Sequence, residues 1–146
     1  MRKKVIISAC LLGHLCRYDA KTKESHEVIK AFAGYEIVPF CPEAPIFGTP
    51  RQRISVVQID GKNRIITDET HEDVTQKLKD EIYSFIEKYP DADHIILKSK
   101  SPSCGFGTTP ILNEQRDILN YSNGIAAEIF QKNYPNTKIE DENSYL

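Results

Sequence analysis

Val5-Ile6-Ile7-Ser8-Ala9-Cys10 runs from three β-branched residues into small ones and a cysteine. An unbroken β-branched run is the pattern of a strand buried on both faces, as in a parallel sheet. The pattern recurs along the chain. Glu36-Ile37-Val38-Pro39-Phe40 leads into Cys41, and His94-Ile95-Ile96-Leu97 precedes Ser101-Pro102-Ser103-Cys104-Gly105. Helical segments lie between these runs. One covers about residues 25 to 32, with Val28, Ile29 and Phe32 as its apolar side and Gly34 as its stop. A longer one covers about residues 72 to 88, where Val74, Leu78, Ile82, Phe85 and Ile86 recur at helical spacing before Pro90. A last helix is expected near residues 124 to 134, and a terminal strand at Thr137-Lys138-Ile139. Residues 55–59 and 64–66 read as a hairpin about Asp60-Gly61-Lys62-Asn63, and residues 41–53, with Pro42, Pro45, Gly48 and Pro50, as a loop. Strands alternating with helices imply an α/β fold: an open, mostly parallel, doubly wound (Rossmann-like) sheet with helices on both faces.

The 146 residues suit a single domain over residues 1–146. The 19 basic and 21 acidic residues leave a formal charge of -2, which gives no footprint for long nucleic acid. No apolar run approaches the ~20 residues that span a bilayer. The start, Met1-Arg2-Lys3-Lys4 before Val5-Ile6-Ile7, is too short in its apolar part for a secretory signal, so a cytoplasmic protein is expected.

Cysteines stand at 10, 16, 41 and 104. A disulfide framework is not expected in the cytosol. Cys10, Cys41 and Cys104 each follow the carboxyl end of an expected parallel strand, where open α/β sheets gather their ligands. Distant positions in sequence thus become neighbours in space. Thiolates are soft ligands suited to zinc, copper(I) or iron–sulfur clusters. Structural zinc sites favour Cys-x-x-Cys pairs, and this chain has none, so dispersed cysteines in turn-rich loops suit a cluster better.

Residues 5–17, ending Cys-Leu-Leu-Gly-His-Leu-Cys-Arg, also resemble the phosphate loop of low-molecular-weight protein tyrosine phosphatases. That loop needs five residues between Cys and Arg, whereas six separate Cys10 from Arg17. The acidic stretch Ile139-Glu140-Asp141-Glu142 is the other feature that reading draws on.

Five ordered motifs point elsewhere. Ser8-Ala9-Cys10-Leu11-Leu12-Gly13, Cys16-Arg17-Tyr18-Asp19, Cys41-Pro42-Glu43, Thr49-Pro50-Arg51 and Ser101-Pro102-Ser103-Cys104-Gly105 resemble the thiouracil desulfidase family, long catalogued as domain of unknown function 523. The resemblance implies a 4Fe–4S cluster bound by three cysteines, with one iron lacking a protein ligand. It implies a non-redox reaction in which water replaces the sulfur of a thiolated pyrimidine base or nucleoside and sulfide is released. Carried onto this chain, it implies Cys10, Cys41 and Cys104 as ligands, with Cys16 as a substitute ligand or relay thiol. Glu43 is then placed to activate water, and Ser101 to donate a proton or bond the substrate, with Ser103 second to it. The chain departs from the family pattern at Ala20, at Ala44-Pro45-Ile46-Phe47-Gly48 and after Gly105, in loops expected to wall the pocket.

Arg17, Arg51, Arg53, Lys98 and Lys100 fall near the expected crevice, where they solvate its rim or bind a nucleotide phosphate. Tyr18 reads as packing and His14 as solvent-exposed. Two functions of other classes fit the same residues: a non-catalytic metal- or cluster-binding accessory protein, and a cysteine-dependent phosphatase.

Overall fold

The structure is a computed structural model that describes residues 2–14, 17–19 and 23–146. In chain order it contains β1 (Lys4–Ser8), a 3-10 turn (Ala9–Leu12), α1 (His26–Ala31), β2 (Glu36–Phe40), the one-turn α2 (Ala44–Phe47), β3 (Ile54–Ile59) and β4 (Lys62–Thr67). There follow α3 (Thr75–Lys88), β5 (His94–Leu97), β6 (Thr109–Leu112), β7 (Ile118–Ser122), α4 (Ile125–Asn133), β8 (Lys138–Asp141) and a final 3-10 turn (Glu142–Tyr145).

The β-branched runs form the centre of a parallel sheet ordered β2-β1-β5-β8. Successive side chains of β1 take opposite faces, as strand geometry requires. Val5 and Ile7 pack with Leu11, Val28 and Phe32 beneath α1, whereas Ile6 packs with Ile82, Leu97 and Phe130 under α3 and α4. All three β1 residues are fully buried. Helices therefore cover both faces, and the expected doubly wound class holds for this sheet. The order reverses between β1 and β5, the switch point at which such sheets open a crevice beyond their carboxyl ends.

The expected hairpin does not join that sheet. β3 and β4 pair with each other and, through β6 and β7, make a second sheet ordered β4-β3-β6-β7. α3 serves both sheets. Val74 and Leu78 lie against Ile54, Val56 and Ile111 of the second sheet, while Ile82 faces the first. The helix begins at Thr75, later than the expected residue 72. The Glu72 N–H is taken by Thr67 Oγ1 at 2.8 Å and the Val74 N–H by Ile65 O at 2.9 Å, which ties residues 72–74 to β4.

Phe40, Phe85, Phe130 and Tyr134 stack in a chain under the first sheet, with ring centroids 4.7 to 5.5 Å apart along it. Offset and edge-on pairs of this kind add about 0.5–1.5 kcal/mol each beyond burial. No helix among the described residues is long and apolar enough to cross a membrane.

Candidate active site

Three strand ends carry the cysteines to one place. Cys10 sits in the 3-10 turn that follows β1, Cys41 directly follows β2, and Cys104 lies in the turn beyond β5. All three line a single cavity of about 800 Å³. Cys10 and Cys104 are 9% and 6% exposed. Cys16 lies outside the described residues.

Local structure fixes each sulfur. The turn after β1 closes on itself, with the Gly13 N–H on Cys10 O and the His14 N–H on Ala9 O. The Cys41 sulfur accepts the Ala44 N–H at 3.5 Å, at the start of α2. Pro45 stands at the first turn of α2, where its missing N–H costs nothing, so one helical turn forms inside the expected loop. The Ser8 hydroxyl accepts the Lys98 N–H at 2.9 Å, joining the ends of β1 and β5.

Burial pushes the Cys10 thiol up to about 11, with Lys98 and Arg17 pulling down and Cys41 pushing up. Burial raises Cys104 well above an ordinary thiol too, the Ser8 hydrogen bond opposing and the charges of Cys41, Cys10 and Glu43 adding to the rise. Three thiols that repel one another as thiolates form a donor set that a cationic metal centre would draw into the ionised state. Among the described residues no group of three or more His, Cys, Asp or Glu could hold a single metal ion. An iron–sulfur cluster asks for something else, a separate thiolate for each iron it binds. The donor set fits such a cluster.

Glu43 lies beside these sulfurs on the cavity wall. Its Oε2 accepts the Ser103 hydroxyl at 2.8 Å, and its Oε1 lies 3.5 Å from Arg51 Nη2. Ser101 also lines the cavity, and its oxygen accepts the N–H groups of Ser103 and Cys104 at 3.2 and 3.0 Å. Ser101 thus shapes the turn that carries Cys104 and keeps its own O–H to donate.

A family model described as 2-thiouracil desulfurase matches residues 5–142. The chain belongs to the 2-thiouracil desulfurase family. It is accordingly an enzyme, a desulfidase. This desulfurase is 31% identical over 112 residues to the uncharacterized protein YbbK of Bacillus subtilis (strain 168), covering 70% of this chain and 74% of that protein. It also matches a solved structure described as the 4Fe-4S-dependent thiouracil desulfidase TudS, with a TM-score of 0.72 and 26% identity, over 98% of this chain and 93% of that one.

The basic residues of the desulfurase fall into two groups. Arg17, Arg51, Arg53, Lys98 and Lys100 all line the cavity as expected. Lys98 is paired with Glu142 at 2.8 Å, Arg17 lies 3.9 Å from Asp19, and Arg53 lies over the Tyr18 ring at 4.8 Å. Arg51 is not a solvated rim residue: its side chain is only 6% exposed. His14 is exposed. The acidic stretch near the chain end does not supply a phosphatase acid. Glu140 pairs with His94 at 2.6 Å and accepts the Tyr145 hydroxyl at 2.8 Å. Glu142 accepts the Ser99 N–H and hydroxyl, each at 2.8 Å. The backbone N–H groups of Gly13 and His14 are committed within their own turn, so they form no phosphate cradle. Sequence alone does not show that Ser8 and Glu142 bond to the residues after β5, or that Ser103 bonds to Glu43.

Proposed function

We propose that this desulfidase is 4Fe–4S-dependent and converts a thiolated pyrimidine base or nucleoside to its oxo form, releasing sulfide without net redox change. The observation that supports it most is the meeting of Cys10, Cys41 and Cys104, from three separate strand ends, in one cavity that also presents Glu43. These three cysteines would hold the cluster. When bound, it supplies a Lewis-acidic iron without a protein ligand, which draws charge from the thiocarbonyl sulfur.

The chain's own groups supply the rest. Glu43 takes a proton from the attacking water and passes it to the sulfur, then takes the remaining hydroxyl proton as the carbonyl forms and passes it to the departing hydrosulfide, so that thiocarbonyl and water become carbonyl and hydrogen sulfide. Ser103 holds one oxygen of that carboxylate, which leaves the other as the proton acceptor. Ser101 offers its O–H to the ring substituent that faces the cavity wall. Lys98 and Arg17, whose charges reach Cys10, favour the anionic sulfur that forms beside it.

The test is turnover of 4-thiouracil by anaerobically cluster-loaded protein in 18O-labelled water. Uracil carrying the label, with sulfide in equal amount, is the expected product. Fully loaded protein that leaves every thiolated pyrimidine base and nucleoside unchanged would contradict the proposal.

A further inference from the structure

We infer that Arg51 is the positioning residue for Glu43, and that the Nε and Nη2 edge of its guanidinium gives the carboxylate a second seat beside the one at Ser103. The inference rests on the reading of Glu43 as the group that handles the proton of water.

Arg51 is held from behind. Its backbone N–H donates to Tyr18 O at 2.7 Å, and its Nη1 donates to Gly48 O at 3.0 Å and to Thr49 Oγ1 at 3.3 Å. These bonds leave the opposite edge of the guanidinium, Nε and Nη2, for another partner, and Nη2 is the atom that reaches Glu43. Those two N–H groups lie parallel in the planar fork and match the two oxygens of a carboxylate. Here the match is half made. Glu43 Oε1 lies at the long distance of 3.5 Å from Nη2, while Nε is buried with no hydrogen-bond partner among the described residues. Both side chains are largely buried, at 6% and 13% exposure, and the Nε atom itself is shut off from solvent.

A buried donor on a cation is costly to leave unsatisfied. The unpartnered Nε sits on the edge whose Nη2 already reaches Glu43, so a small swing of the carboxylate closes the fork. That swing draws it away from the Ser103 hydroxyl. Glu43 thus has two seats, one on Ser103 and one on Arg51, and the guanidinium sets where the carboxylate stands over the cavity. A lysine would keep the charge and lose the fork.

Two readouts test this. In the first, Arg51→Lys is loaded with cluster, assayed for iron and sulfide, and measured for kcat and KM on 4-thiouracil. Iron, sulfide and KM should stay near wild type while kcat falls about a hundredfold, as expected for a misplaced catalytic group. An unchanged kcat would overturn the inference. The second uses the cluster-free chain and no activity: urea unfolding of Arg51→Gln, Glu43→Gln and the double variant. The loss caused by Arg51→Gln should largely vanish in the Glu43→Gln background. Additive losses would overturn the inference, and Arg51→Lys enters the same cycle if Arg51→Gln does not fold. Wild type that carries full cluster yet turns over nothing counts against the proposed function, and the cycle in the cluster-free chain then decides the role of Arg51.

Discussion

The Ser103 hydroxyl donates to Glu43 Oε2 at 2.8 Å, joining the turn beyond β5 to the segment after β2 across 60 residues of chain. Ser103 is fully buried, so its own hydroxyl is shielded from bulk water. It ties the residues that carry Cys104 to those that carry Cys41.

Ser103→Ala removes a buried donor from a carboxylate that keeps only its loose contact with Arg51. The expected cost is about 1–3 kcal/mol of stability, read by urea unfolding of the cluster-free chain, together with a fall in kcat. Ser101→Ala acts differently, since it strips the acceptor from the N–H groups of Ser103 and Cys104. It should lower cluster loading as well as turnover, and iron content in the two variants separates the roles.

Gly124→Ala should damage the site from outside it. A Cβ there would stand 2.6 Å from the carbonyl carbon and oxygen of Ser103 and 2.7 Å from Pro102 O, all backbone. The φ of -68° suits any residue, so the clash alone carries the effect. Loss of about 1–3 kcal/mol and of cluster loading is expected by thermal unfolding and iron analysis. Gly34→Ala, where a Cβ meets nothing within 4 Å, is the matched control and should change stability by less than about 0.5 kcal/mol.

Glu142 predicts an acid limb. Burial alone would raise its carboxyl, but the hydrogen bonds from Lys98 and Ser99 outweigh burial and hold it below the ordinary value. A depressed folded pKa stabilises fully above the unfolded value, about 4.3 for glutamate. That stabilisation is lost as pH falls through the lower folded value. The stability difference between wild type and Glu142→Gln should therefore be constant near neutrality and shrink as the pH falls below about 4. A difference that does not change with pH would remove Glu142 from the account.

Much of this was legible from local pattern. The strands at Glu36–Phe40 and His94–Leu97 stand where their apolar runs placed them. The convergence of three cysteines followed from the parallel-sheet reading alone. β6 and β7 were not legible. Pro110 falls inside the first, a four-residue strand too short for its alternation of buried and half-buried positions to stand out, and the second is exposed along most of its length and shows no alternation. β7 is an edge strand whose place is set by pairing with β6 rather than by its own composition. Contacts such as Ser103–Glu43 join residues far apart and leave no local trace. Arg51 misled for a related reason: an arginine after Pro50 reads as solvated until the fold buries it against Glu43.

The central claim is that Cys10, Cys41 and Cys104 together hold one cluster while Glu43 does chemistry and does not ligate. Anaerobic purification with iron and acid-labile sulfide analysis, run on wild type, Cys104→Ser and Glu43→Ala, tests it most directly. The account predicts brown wild-type protein with about four irons and four sulfides per chain, the same content in inactive Glu43→Ala, and none in Cys104→Ser. Colourless wild-type protein that resists reconstitution, or Cys104→Ser that keeps its full iron, would contradict it.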